Sequence, residues 1–179
     1  KKGLLMIIEK ELFMSKLNQN RKIFIYVPDN YELNTKQYPV LYTFDGHNLF
    51  LDEYATYGKA IHIQDHIEKL GLDLIVVGQE CSHDGNNRLI EYAPYPFYDP
   101  EYGSFEGQGD ATMDFFVNEL KPFIDQQLSN RKEQEKILLL PEAAVELMSL
   151  YAAYTYSHIY SKAVVVSPYI LESMDAILK

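Results

Sequence analysis

With one cysteine, Cys81, in 179 residues, the sequence offers no partner for a disulfide within the chain. Its cysteine usage gives no sign of an oxidising compartment, so a cytoplasmic setting is expected. Positive charge is also short: 16 Lys and Arg stand against 26 Asp and Glu, a net charge of −10. The cations are scattered. Nucleic-acid binders need clustered cations to displace counterions, and anionic membrane surfaces attract the same clusters, so neither nucleic acid nor membrane is an expected partner. No apolar run approaches the roughly 20 residues of a membrane-spanning helix. Lys1 and Lys2 before the apolar Gly3 to Ile8 superficially resemble the start of a secretory signal, but the run is short and Glu9 interrupts it, which favours a strand. Repeats, low-complexity tracts and linkers are missing too, so one domain over 1–179 is expected.

What is present is ordinary globular composition, 47% hydrophobic and 23% charged, enough for a sizeable core. The stretch around which the rest is arranged is Lys136 to Tyr151, KILLLPEAAVELMSLY. Ile137 to Leu140 form an apolar run without alternation, as in a strand buried on both faces of a parallel sheet. Pro141 stops the strand. Ala144, Leu147, Met148, Tyr151 and Ala152 then recur at helical spacing. In α/β enzymes such strand-to-helix turns favour chemistry because backbone N–H groups converge there, yet residues 141 to 146 include no Ser, Cys, His or Gly.

Taken in order, the pattern predicts strands near 4–17, 21–28, 38–44, 72–78, 136–140 and 162–167. Ala60, Ile61, Ile63, Ile67 and Leu70 predict a helix over Tyr57 to Leu70 with Gly71 as its stop. Ala111 to Leu128 reads as a second helix, with Pro122 imposing a kink or break near Lys121. Between Gln79 and Asp110 lie about thirty residues rich in Tyr, Pro, Gly, Asn and Asp, a binding or lid segment by its length. The first two strands are expected to pair through a short turn. Later strands alternate with helices, so the fold class is α/β: one mostly parallel central sheet with helices on both faces.

The succession RKIFIYVP, YPVLYTFDGHNLF, LDLIVVGQE, RLIEYAP, FFVNELKPFIDQQL, LMSLYAAY and KAVVVSPY resembles the family called Putative esterase in the α/β-hydrolase superfamily. Enterochelin esterases and related siderophore hydrolases are its best-known members. The resemblance runs from about Arg21 to Tyr169, and DG-x-NLF with R-x-x-EY carries its specificity. It implies a serine hydrolase acting on an ester or acyl ligand, with a G-x-S-x-G elbow and an acid and a histidine later in the chain. The elbow falls on Pro141, Glu142, Ala143, Ala144 and Val145. Ala143 has no group that a base could deprotonate, and Pro141 and Val145 crowd the positions of the two glycines. Members of the family continue through further strands that carry the acid and the histidine. A domain incomplete at its C-terminus is therefore expected, with no catalytic residue assigned. The strand over Lys162 to Val166 is then expected to leave a sheet edge through which the chain self-associates.

The resemblance places backbone N–H donors for an oxyanion just after the third strand. Gly46 would permit close approach of the backbone there, with His47 or Asn48 lining a pocket. The competing reading is a turn in which Asp45 and Asn48 satisfy local backbone groups. Arg88, Glu91 and Tyr92 carry the R-x-x-EY match and complete the candidate ligand-binding set, bracing of the long loop by a charged pair being preferred to ligand contact. Tyr92, Tyr95, Phe97, Tyr98, Tyr102 and Phe105 are expected to wall a cleft near Gly46 and His47. His62 and His66 at i, i+4 have metal-ligand spacing, but with no third ligand in the sequence a solvated helix face is preferred. Cys81, Ser82, His83 and Asp84 read as coincidence in a polar loop. Gly103 to Gly109, GSFEGQG, has no Lys and opens no helix in phosphate-loop fashion, so a mobile turn is expected. No metal and no cofactor are expected.

Overall fold

The computed structural model describes residues 6–29, 31, 36–128, 135–138 and 143–164. Its centre is a six-stranded sheet built from β1 (Met6–Met14), β2 (Gln19–Val27), β3 (Val40–Thr43), β4 (Ile75–Gln79), β7 (Glu135–Leu138) and β8 (Tyr160–Val164). The spatial order is β1-β2-β4-β3-β7-β8. β1 and β2 form an antiparallel hairpin, and β2 lies antiparallel to β4. The pairs β3/β4, β3/β7 and β7/β8 are parallel. The expected first strand is too long: the chain turns at residues 15–18, where Asn18 has φ 51°, and Leu17 lies in that turn.

Alternation along the strands sends side chains to two separate cores. From β2, Ile23, Ile25 and Val27 face one side, joined by Tyr42, Val77, Met113, Phe116, Leu120, Ile124, Met148 and Ala152. Phe24 and Tyr26 face the other, with Val76, Leu49, Phe50, Ile63 and Ile67. The first core is covered by α3 (Gly109–Phe115), α4 (Lys121–Gln127) and α5 (Ala143–Thr155), the second by α1 (Ile63–Lys69). Helices thus cover both faces. Among the described residues no helix is long and apolar enough to cross a membrane.

Three elements differ from the sequence reading for identifiable reasons. The helix expected from Tyr57 begins only at Ile63. The Ala60 N–H donates to Asp52 Oδ1 at 2.7 Å and the Ile61 N–H to Asn48 O at 2.9 Å. Residues 60 and 61 are thus tied to the preceding turn, and His62, with φ 54°, enters the helix from the left-handed region. Its stop is as expected, since Gly71 N–H donates to Glu68 O and Leu72 N–H to Ile67 O. The long loop contains a short helix, α2 (Asn87–Glu91), and a hairpin of β5 (Phe97–Asp99) with β6 (Gly103–Phe105). The GSFEGQG segment is accordingly no free turn. A Cβ on Gly107 would stand 2.7 Å from Ala93 O, and one on Gly109 2.7 Å from Pro94 Cα. Between α3 and α4, residues Phe116–Leu120 form one π-helical turn, and Pro122 enters the first turn of α4. The break expected near Lys121 takes this form, the wider turn loosening the i−4 ladder just before a residue that lacks an N–H.

Candidate active site

The carboxyl ends of adjacent parallel strands are where an α/β sheet holds its ligands, and β3 and β4 meet there in register, Thr43 opposite Gly78. β3 runs into Asp45, which has φ 52°, and then into a short 3₁₀ turn over Gly46–Asn48. Gly46 lies against Gly78 so closely that a Cβ at residue 46 would sit 2.3 Å from the Gly78 carbonyl carbon and oxygen. No side chain fits between the two backbones. The Gly46 expectation, close backbone approach at this turn, is what the structure has.

The turn is held from outside by α2. Arg88 donates from Nε to Asp45 Oδ1 at 3.1 Å and from Nη2 to Asp45 Oδ2 at 2.7 Å, the bidentate geometry that best fixes a carboxylate. Its guanidinium also lies over the Tyr92 ring, 5.6 Å from the centroid. Tyr92, fully buried, donates its hydroxyl proton to Gln79 Oε1 at 3.1 Å and accepts from the Asp45 N–H at 3.4 Å. Burial, followed by the nearby Asp45 carboxylate, pushes the Tyr92 phenol well above its ordinary pKa. Glu91 points the other way: its Oε1 accepts from Arg21 and from Gln19 Nε2, and its Oε2 from the Ser82 N–H at 3.2 Å.

The charged pair expected to brace the loop is therefore two pairs, Arg88 with Asp45 and Glu91 with Arg21. Their partners lie 43 and 70 residues away in sequence, and this separation hid them. Of the six candidate ligand-binding residues, Gly46, His47 and Asn48 form the turn, Arg88 and Tyr92 bind to its first residue, Asp45, and Glu91 is buried against β2. Asn48 Oδ1 accepts the Thr56 N–H at 2.9 Å, and the Asn48 N–H donates to Asp45 O. Local satisfaction thus holds for Asn48, whereas the Asp45 carboxylate pairs with Arg88 and also lies within hydrogen-bonding reach of the Cys81 thiol.

The aromatic segment lies at the same end of the sheet as Gly46, reached through Tyr92. Tyr92 packs on Phe44 with ring centroids 5.1 Å apart, Tyr95 packs edge-on against Tyr151 of α5, and Phe97 stacks on Phe105 within the hairpin. Tyr98 and Tyr102 are exposed. A groove lined by Tyr26, Pro28, Asp29, Glu68, Gly71, Leu72 and Asp73 lies at the opposite end.

His62 and His66 do not share a helix face as read, since His62 precedes the helix and its Nε2 pairs with Asp52 Oδ1 at 2.9 Å. The reading of residues 81 to 84 as a polar loop also changes. Cys81 and Ser82 are buried, and burial, with Asp45 beside it, pushes the Cys81 thiol up. His47 is buried as well, and burial lowers its pKa. Its ring meets the His83 ring edge-on, centroids 4.8 Å apart. Adjacency of β3 and β4 brings these residues together; two parallel strands each followed within five residues by His or Cys was the available signal. Pro141 and Glu142 lie outside the described residues. Ala143 is the first residue of α5, the helix that follows β7 in the chain.

This sheet, with its glycine-lined turn after β3 and helices on both faces, defines a protein of α/β-hydrolase type. Residues 14–176 match the family described as "Putative esterase", and the chain belongs to that esterase family. It is 25% identical over 145 residues to the uncharacterized protein YbbA of Bacillus subtilis (strain 168), covering 80% of this chain and 54% of YbbA. Its fold is like that of an IroE-like serine hydrolase from Shewanella oneidensis, with a TM-score of 0.76 at 21% identity, covering 97% of this chain and 54% of that one. It is also like the enterobactin and salmochelin hydrolase IroE, with a TM-score of 0.69 at 16% identity, covering 99% and 68%. The chain spans about half the length of YbbA and of the Shewanella hydrolase.

Proposed function

We propose that this chain carries the acyl-ligand-binding turn of an esterase without serine acyl-transfer chemistry of its own. The observation behind the reading is the Gly46–Gly78 contact with Arg88 clamped on Asp45. A rigid turn at the carboxyl end of the central strands, with the leading N–H groups of a short helical turn unable to find partners inside that turn, suits stabilisation of a carbonyl oxygen that gains charge. Family membership supplies the substrate class, a carboxylic ester or related acyl compound. The position that the family resemblance gives to the nucleophile holds Ala143, whose methyl cannot be deprotonated, and oxyanion donors alone leave only a small residue of catalysis. The second reading, an active serine esterase, is favoured by the family match over residues 14–176.

Hydrolysis of a short-chain nitrophenyl ester, with fluorophosphonate labelling in parallel, separates the two. No turnover and no labelling are expected, and Ala143→Ser alone should restore neither. Stoichiometric labelling of any serine would overturn the proposal. Ser149, fully buried in α5, is expected to stay unlabelled.

A further inference from the structure

At the turn, His47 converges on one point with two side chains, Cys81 and His83, that the esterase reading does not use. The nitrogen and sulfur ligand atoms of His47, Cys81 and His83 all lie within 4.8 Å of one another. A zinc ion bound to nitrogen at about 2.0 Å and sulfur at about 2.3 Å in tetrahedral geometry needs ligand atoms roughly 3.3–3.7 Å apart.

The hydrogen bonds around the cluster leave ligand positions open. His47 Nε2 meets Thr56 Oγ1 at 3.0 Å, while its Nδ1 is buried with no hydrogen-bond partner among the described residues. An unsatisfied buried nitrogen in a native site calls for an explanation, and metal coordination is one. His83 Nε2 meets Glu80 Oε1 at 3.1 Å, the carboxylate-to-histidine arrangement that orients metal-ligating imidazoles and leaves the other nitrogen for the ion. Asp45 and Glu80 contribute negative charge around His47, with Arg88 opposing them.

We propose that His47, Cys81 and His83 form a binding site for a borderline-soft divalent cation of the zinc class. Two imidazoles and a thiolate select zinc, cobalt or copper over magnesium and calcium. Three protein ligands leave a fourth position for water on the solvent side, where His83 is 54% exposed. Uptake displaces the Cys81 thiol proton, which leaves to solvent as the sulfur–metal bond forms. His47 is common to this site and to the proposed ester-binding turn, but the metal reading does not rest on ester binding, and cobalt spectra read it without any ester present.

Titration of the reduced 179-residue chain with Co²⁺ under argon, followed by absorbance, tests it. One equivalent should produce a thiolate-to-cobalt charge-transfer band together with the intense d–d bands of a tetrahedral site, and Zn²⁺ should bleach both. Cys81→Ser should abolish the charge-transfer band. Because Cys81 is buried and its variant could disturb packing, His83→Ala provides the second arm: this exposed side chain can be removed without touching the core. Its affinity for Co²⁺ should fall by more than the roughly 10–100-fold expected for Glu80→Gln, which removes an outer partner. Absence of the charge-transfer band in the unaltered chain, or unchanged affinity in His83→Ala, overturns the proposal.

Discussion

Replacing Glu91 by Leu should be among the most damaging single changes in this chain. Glu91 is 2% exposed, and its carboxylate is the acceptor for the Arg21 guanidinium, for Gln19 Nε2 and for the Ser82 N–H. Arg21 is itself only 7% exposed, so removal of the carboxylate leaves a buried cation with no counter-charge. Breaking a buried pair from one side costs about 3–5 kcal/mol. For a domain of this size each kcal/mol shifts the melting temperature by about 2–4 °C, giving a fall of roughly 6–20 °C. Arg21→Met should cost a comparable amount. The double variant, in which both charges become apolar groups of similar volume, should recover most of the loss, because neither partner is then stranded. Urea denaturation followed by circular dichroism, with m-values checked for constancy, gives the three free energies. If the two single costs simply add in the double variant, the pair is not coupled and the bracing argument for α2 fails.

Two further outcomes are expected. Gly46→Ala places a methyl 2.3 Å from the Gly78 backbone, and forcing β3 and β4 apart should cost at least the roughly 1–3 kcal/mol of an overpacked core; unchanged urea stability would refute the contact. The Tyr26 phenol is pushed up to about 12 by burial and by neighbouring Glu68, Asp29 and Asp73. The folded state therefore holds a proton that the unfolded state releases from about pH 10 upward, and stability should decline as pH rises from about 10 through 12. Spectrophotometric titration in which every phenol ionises near pH 10 without unfolding would contradict this.

The sheet was legible because its signals are local: continuous apolar runs gave β3, β4 and β7, and alternation in RKIFIYV gave β2. The failures are all non-local. Ala60 and Ile61 carry a helical pattern, but their N–H groups are claimed by Asp52 and Asn48. Arg88 and Glu91 were singled out as a charged pair, yet their partners Asp45 and Arg21 follow from strand order, which periodicity does not encode. Cys81 and His83 were set aside because neighbours in an extended segment diverge, a sound local argument that overlooked His47 arriving from the adjacent strand. The elbow at residues 141–145 depended on family resemblance, and its first two residues fall outside the described part of the chain.

The π turn at Phe116–Leu120 has a bearing on how this helix tolerates changes in length. A π turn closes its hydrogen bond over one residue more than an α turn does, so it behaves as an α-helix that has absorbed a single-residue insertion without rotating the flanking faces. Met113 before it and Ile124 after it both reach the same core. Deleting one residue from 116–120 should therefore convert the segment to continuous α-helix with both flanks still in phase, whereas the same deletion within α4 would turn Ile124 out of the core. At this one place a shorter chain should fit the fold about as well.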